Sequence, residues 1–314
     1  MTRAFVFPGQ GSQAVGMGRD LAEAFPVARQ VFEEVDEALK QKLSTLMREG
    51  PESDLTLTEN AQPALMAVSL ATVRVIESEG GRKLAQLASY VAGHSLGEYS
   101  ALAAAGALSV ADAARLLKKR GQAMQRAVPV GVGAMAALLG IELEPAQEAC
   151  REAAEGQVVA VANDNGGGQV VISGHKEAVE RAIKAAQAKG CKRGMLLPVS
   201  APFHCPLMQP AADAMAEALE TAVLAPPSVP VVANVRAAET SDPATIKKLL
   251  VEQVTGLVRW RESVLYMKDK GVASLVETGA GKVLTGLVKR IDKEMTGTAI
   301  NTPADLEAFL KSAV

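Results

Sequence analysis

The sequence predicts an α/β protein: a large domain on a parallel sheet, interrupted by a small inserted unit. Three observations predict it. Residues 90–98 read Tyr-Val-Ala-Gly-His-Ser-Leu-Gly-Glu and set Ser95 between Gly93 and Gly97, a G-x-S-x-G element. An apolar β-type run at 87–91 leads in and an Ala-rich helical run at 96–108 leads out, the strand–turn–helix context of a nucleophile elbow. Strand and helix patterns alternate elsewhere, except over 128–199, where the order is βαββαβ.

Residues 4–7 form a short apolar strand closed by Pro8, followed by Gly9-Gln-Gly-Ser-Gln13. Gly9, Gly11 and Ala14 satisfy G-x-G-x-x-G/A, but a dinucleotide site also needs a second strand ending in an acid about 20 residues on. Residues 25–43 carry a helical rhythm instead, so the loop reads as a polar turn at a strand end. Residues 62–77 form one helix with Pro63 in its first turn. The elbow follows, then a helix over 110–127. On that helix Ala113, Leu117, Arg120 and Met124 share one stripe, while Lys118 and Lys119 point elsewhere. An arginine on an apolar stripe either snorkels to solvent or is held inward to meet an anion, and the pattern alone does not choose.

The inserted unit comprises strand 133–139, helix 144–154, strands 157–161 and 169–173 joined through Asn163-Asp-Asn-Gly-Gly-Gly168, helix 176–188 and strand 195–199. This order is ferredoxin-like. The predicted domains are therefore 1–127 with 200–314, a large α/β-hydrolase-like domain, and 128–199, a small ferredoxin-like subdomain. After Ser200-Ala-Pro-Phe-His-Cys205 come helix 208–221, strand 229–234, helices 243–253 and 260–270, strand 273–277 and helix 281–291. Glu277-Thr-Gly-Ala-Gly-Lys282 lacks the leading Gly and trailing Ser/Thr of a phosphate loop and reads as a strand–helix turn.

Composition narrows the chemistry. Lys+Arg number 33 against 35 Asp+Glu, and aromatic residues are 3%, so neither a basic field nor a base-stacking platform for nucleic acid is expected. The three cysteines, Cys150, Cys191 and Cys205, match no metal spacing and suggest a reduced compartment. The N-terminus has no signal-peptide layout and no apolar run reaches the ~18 residues of a membrane span. A cytoplasmic protein is expected.

A serine hydroxyl needs a base, most often histidine, and the sequence offers three. His94 adjoins Ser95, but neighbours at a tight turn point apart. His175 begins a helix of the insertion, where capping or exposure is expected. His204 lies where the insertion hands back to the main domain, a preferred place for site residues, and is the expected base. Cys205 reads as an ordinary buried cysteine. Asp112 and Asp164 are the only aspartates between Ser95 and His204 and neither suits a triad, so a carbonyl is the alternative orienter of the imidazole.

Phe7-Pro-Gly-Gln-Gly-Ser-Gln13, Gly93-His-Ser-Leu-Gly-Glu98, Arg120-Gly121, Phe203-His204, Asn234-Val235 and the 281–287 segment together resemble the malonyl-CoA:acyl carrier protein transacylases. They are also similar to the acyltransferase domains of polyketide and fatty acid synthases. The resemblance runs essentially end to end. It implies Ser95 as acyl-accepting nucleophile, His204 as base, and Gln253 as the residue whose main-chain carbonyl steers His204. It implies an oxyanion hole from the N–H groups of Gln10 and Leu96, and Arg120 turned inward to grip a malonyl carboxylate. Met124 and His94 would lie by the acyl group. Phe203 resembles variants that take malonyl rather than methylmalonyl, and the segment here reads Ser-Ala-Pro-Phe-His, with serine at its head.

The resemblance further implies ping-pong transfer from malonyl-CoA to the phosphopantetheine thiol of acyl carrier protein; the sequence leaves fatty acid and polyketide synthesis open, and a freestanding chain favours fatty acid biosynthesis. It implies no cofactor, no metal and a monomer. Lys118, Lys119, Lys189, Lys192 and Arg193 are candidates for contact with an acidic carrier, each equally an ordinary solvated charge.

Overall fold

Ala4 to Phe7 are all buried, and their side chains enter two different hydrophobic clusters on opposite faces. A strand apolar on both faces belongs inside a parallel sheet, and that is where β1 (Arg3–Phe7) lies. The computed structural model describes residues 2–199 and 201–313. Its larger sheet has the order β10-β9-β1-β2-β7-β8, from β2 (Tyr90–Gly93), β7 (Val231–Ala233), β8 (Ala238–Thr240), β9 (Ser274–Thr278) and β10 (Thr296–Ile300). Every pairing is parallel except that of the edge strand β8 with β7. Phe7 pairs with Gly93 and Ala92 with Val232, so β1, β2 and β7 end together. The loops leaving their carboxyl ends share one edge, where sites on such sheets form.

The smaller sheet is antiparallel, in the order β4-β5-β3-β6, with β3 (Gly133–Leu139), β4 (Val159–Gly166), β5 (Gln169–His175) and β6 (Arg193–Leu196). Helices Leu143–Ala153 and Lys176–Ala188 pack on it around a third cluster. β4 is pinned to the rest of the protein. Asp164 N–H donates to Val258 O at 3.0 Å, and Val258 N–H to Ala162 O at 2.9 Å. The buried Asp164 carboxylate accepts from Arg261 Nε at 2.8 Å.

Several expected boundaries move. The helix expected at 62–77 is Thr58–Gly80, which puts Pro63 beyond its first turn. The added turn carries Thr58, Glu59 and Asn60, polar residues that interrupt the apolar rhythm although Thr58 and Asn60 are buried. The rhythm of 25–43 divides into helices Pro26–Leu39 and Leu43–Glu49, because Lys40 takes a left-handed φ of 50° and ends the first. The Asn-Asp-Asn-Gly stretch expected as a loop belongs to β4: pairing with β5 and the bridge to Val258 hold it extended through two irregularities. The strand expected at 195–199 is Arg193–Leu196, and Ser200 lies outside the described residues. Strands β8 and β10 and the Pro303–Ala313 helix were not expected from the pattern. The Glu277 turn is a strand–helix turn as expected: its carboxylate accepts from Leu284 N–H, Thr285 N–H and Thr285 Oγ1, capping the Val283–Ile291 helix. Among the described residues no helix is long and apolar enough to cross a membrane.

Candidate active site

The elbow is built on two glycines. A Cβ on Gly93 would fall 1.8 Å from the Gly97 carbonyl, and one on Gly97 would fall 2.2 Å from Phe7 O. Only hydrogen at both positions lets strand, turn and the Gly97–Ala104 helix touch. Ser95 sits between them with φ 53°, in the left-handed region that a serine occupies only at a cost. Two hydrogen bonds hold that conformation. Ser95 N–H donates to Asn234 Oδ1 at 2.8 Å, and Ser95 O accepts from Gln253 Nε2 at 3.0 Å.

His204 is brought across 109 residues of chain to place Nε2 2.7 Å from Ser95 Oγ. It too has a left-handed φ, 56°, so both ends of this hydrogen bond sit on strained backbone. His204 Nδ1 donates to the main-chain O of Gln253 at 2.8 Å. That leaves Nε2 as the acceptor toward the hydroxyl, the tautomer of a general base. Burial, reinforced by the positive charge of Arg120, pushes the His204 pKa down to about 3, so the imidazole is neutral at ordinary pH. Among the described residues no aspartate bonds to His204: Asp112 caps its own helix with Ser109, and Asp164 is committed to Arg261. His175 accepts Val158 N–H at Nδ1, 2.9 Å, in the smaller unit. Cys205 is buried with Sγ against Pro202 O, and burial pushes its thiol pKa up.

Arg120 is only 1% exposed, which settles the snorkelling alternative in favour of the inward orientation. Nη1 donates to Gln62 Oε1 and Nη2 to Gln253 Oε1, both at 2.9 Å, and Nη2 also reaches Ser95 Oγ at 3.1 Å. Nε has no hydrogen-bond partner among the described residues, and the guanidinium stands 5.8 Å from the Tyr99 ring centroid. The direct partners are thus neutral groups and a π-face, leaving a buried cation with donor capacity toward the Ser95 hydroxyl. The Gly121 backbone makes this possible: a Cβ there would fall 2.5 Å from Glu59 Cα, so the two helices meet closely beside Arg120.

A cavity of about 630 Å³ opens over these groups, lined by Gln10, His94, Ser95, Leu96, Arg120, Met124, Phe203 and His204 among others. All predicted site residues line it except Gln253, which lies buried behind His204 and Arg120. The N–H groups of Gln10 and Leu96 form no hydrogen bond with another described residue, which leaves both as donors for a ligand oxygen. Met124 is buried, with Sδ 3.6 Å from Gln62 Nε2.

Sequence reading missed the partners that arrange these groups. Asn165 Oδ1 accepts from His94 Nε2 at 2.9 Å, so β4 of the smaller unit fixes the ring beside Ser95, and Asn163 Nδ2 lies 3.3 Å from the same nitrogen. Burial lowers the His94 pKa, opposed by the Asn165 bond. The available signal was the i, i+2 spacing of Asn163 and Asn165, which puts both on one face of a strand. Glu98, in the first turn after Ser95, is buried; burial pushes its pKa up to about 7 against hydrogen bonds from Asn234 and Gln253. Two of the basic residues considered for carrier contact are already committed: Lys118 pairs with Glu59 at 2.9 Å, and Lys189 with Glu152 at 2.8 Å. Among the described residues no group of three or more His, Cys, Asp or Glu could hold a metal ion.

Residues 4–302 match the acyl transferase domain family. The chain belongs to that family. Its members here are malonyl-transferring enzymes by name. The malonyl CoA-acyl carrier protein transacylase of Escherichia coli strain K12 is 50% identical over 308 residues, 98% of each chain. The acyl-carrier-protein S-malonyltransferase structure from Bartonella henselae is 55% identical, covers 100% of this chain and 99% of its own, and superposes with a TM-score of 0.97. A malonyl-transacylase solved with a type II polyketide synthase acyl carrier protein is 47% identical, over 99% of this chain and 100% of that one, with a TM-score of 0.96. Against these relatives the acyltransferase has the same α/β fold, with a mostly parallel sheet and a separate antiparallel one.

Proposed function

We propose that this acyltransferase moves the malonyl group from malonyl-CoA to the phosphopantetheine thiol of acyl carrier protein, supplying malonyl carrier protein for fatty acid biosynthesis. The observation that carries this reading is Arg120: a buried guanidinium without a carboxylate in direct contact, 3.1 Å from the Ser95 hydroxyl. A simple acyl ester has no use for such a cation; an acyl group ending in a carboxylate does.

In the first half-reaction Ser95 Oγ attacks the thioester carbonyl and gives its proton to His204 Nε2. The carbonyl oxygen takes negative charge against the N–H groups of Leu96 and Gln10. The C–S bond then breaks, and the departing CoA sulfur takes the proton from His204. In the second half the carrier's thiol gives its proton to His204, its sulfur attacks the malonyl-serine carbonyl, and Ser95 recovers the proton as the ester bond breaks. Gln253 steers His204 through its main-chain carbonyl. Met124, Phe203 and His94 bound the acyl group, with Phe203 favouring malonyl over the bulkier methylmalonyl. No cofactor enters this cycle; malonyl-CoA and the loaded carrier are substrates.

The same reading takes 1–127 and 200–314 as an α/β-hydrolase-like domain and 128–199 as a ferredoxin-like subdomain, in a monomeric cytoplasmic protein. The carrier-bound relative supports an acyl carrier protein as partner. The test is to load the protein with malonyl-CoA, isolate the Ser95 ester and follow its discharge. Rapid discharge by phosphopantetheinylated carrier protein and slow discharge by water are expected; equal discharge by water alone would make the protein a thioesterase.

The pH dependence follows from the base. The reactive form is the neutral imidazole, which is fully populated above its folded-state pKa and lost as pH falls through it. With that pKa pushed down to about 3, CoA release in the first turnover should stay flat between about pH 5 and 8, with no inflection near the ordinary histidine value of about 6.5. Stopped-flow measurement of the burst checks it. A half-maximal burst rate near 6.5 would show an unperturbed imidazole.

A further inference from the structure

Beneath the elbow lies a carboxylate that the reaction above does not use. Glu98 Oε2 accepts from Asn234 N–H at 3.0 Å and from Gln253 Nε2 at 2.8 Å, both neutral donors. The second bond matters because of what Gln253 holds. Its Nε2 faces three acceptors, Glu98 Oε2 at 2.8 Å, Ser95 O at 3.0 Å and, at the longest distance, Asn234 Oδ1 at 3.3 Å, so its Oε1 is left facing Arg120 Nη2 at 2.9 Å. Flipping that amide would set Oε1 against acceptors alone and present N–H groups to a guanidinium, which has only donors. The same residue's main-chain oxygen holds His204 Nδ1.

We infer that Glu98 is a positioning residue for acyl selection: acting through the Gln253 amide, it holds the Arg120 guanidinium where a carboxylate of the acyl group meets it. Asn234 completes the device, since its N–H donates to Glu98 Oε2 while its side chain bridges Ser95 N–H and Gly93 O. One carboxylate oxygen therefore joins the turn that carries the nucleophile to the side chain that orients the arginine. The geometry needs an acceptor at Oε2, not a charge: a carboxyl protonated on Oε1, or an amide oxygen, accepts both bonds equally. This inference rests on the transacylase reading of Arg120.

The full-length protein is loaded with malonyl-CoA and, separately, acetyl-CoA, and kcat/KM for ester formation is compared. The wild-type protein is loaded first, and failure to form a malonyl ester there refutes the transacylase reading and not this one. Glu98→Gln should keep the malonyl-to-acetyl ratio within about threefold of wild type, because its amide oxygen replaces Oε2. Glu98→Met, of similar shape but without an acceptor, should lower the ratio by about tenfold, the scale of one hydrogen bond. A merely structural carboxylate would shift thermal stability and leave the ratio alone. A folded Glu98→Met with the wild-type ratio overturns the inference, and so does a loss in Glu98→Gln. If Glu98→Met does not fold, Glu98→Asp, which draws the acceptor back by one methylene, takes its place with the same expectation.

Discussion

Ser95→Ala is expected to lower malonyl transfer by about four to six orders of magnitude and to abolish the covalent malonyl-protein seen by mass spectrometry. The size of the effect follows from the geometry. Ser95 Oγ is the hydroxyl on which His204 Nε2, at 2.7 Å, and Arg120 Nη2, at 3.1 Å, both converge. Without it the base has no proton to take and no ester forms, whatever the cavity still binds. Folding should survive, because the contacts holding the turn run through the Ser95 N–H and carbonyl and not through its hydroxyl. A Ser95→Ala protein that still transfers malonyl at a tenth of the normal rate would remove the serine from the mechanism.

Arg120→Ala is expected to lower kcat/KM for malonyl-CoA by about two to three orders of magnitude while changing that for acetyl-CoA far less, so that the preference collapses. A buried ion pair deprived of one partner loses ~3–5 kcal/mol, and each 1.36 kcal/mol is tenfold in rate. Competition between the two thioesters, read by the mass of the acyl-enzyme, measures it directly. The side chain's own bonds to Gln62 and Gln253 would also be lost, so a parallel thermal melt separates selectivity from stability. Arg120→Lys should rescue only partly, since an ammonium cannot offer a flat pair of donors to a carboxylate. Equal loss for malonyl and acetyl would mean that Arg120 supports the fold and does not read the acyl group.

The two expectations differ in how their residues became visible. Ser95 stands in a local pattern: the glycines at 93 and 97 flank it at two residues on either side because strand and helix must touch there, as their 1.8 and 2.2 Å limits require. Arg120 showed itself as a charge on an apolar helical stripe, but the pattern left two fates open, and the family resemblance chose between them before burial did. His204 was favoured among three histidines by its place at a junction between units, and a carbonyl was anticipated where no aspartate fitted. Gln253 came from the resemblance alone; nothing in the 243–255 periodicity marks a main-chain oxygen.

Asn163, Asn165 and Glu98 escaped because their work lies between elements. The asparagines looked like loop formers, since Asn, Asp and Gly favour turns, and only pairing with β5 and the bridge to Val258 draw them into a strand facing His94. Glu98 looked like the polar end of a motif. Its burial appears once Gln253 and Asn234, distant in sequence, close over it.

By itself the sequence determined the α/β class, the strand–turn–helix around Ser95 and the βαββαβ order that follows it, because strand and helix periods and glycine contacts act within a few residues. Tertiary structure alone decided which distant groups meet: the imidazole 109 residues from its serine, the amide 133 residues from its arginine, and the asparagine pair against His94. Such meetings depend on which strands neighbour one another in the sheets, and short-range patterns carry no record of that order.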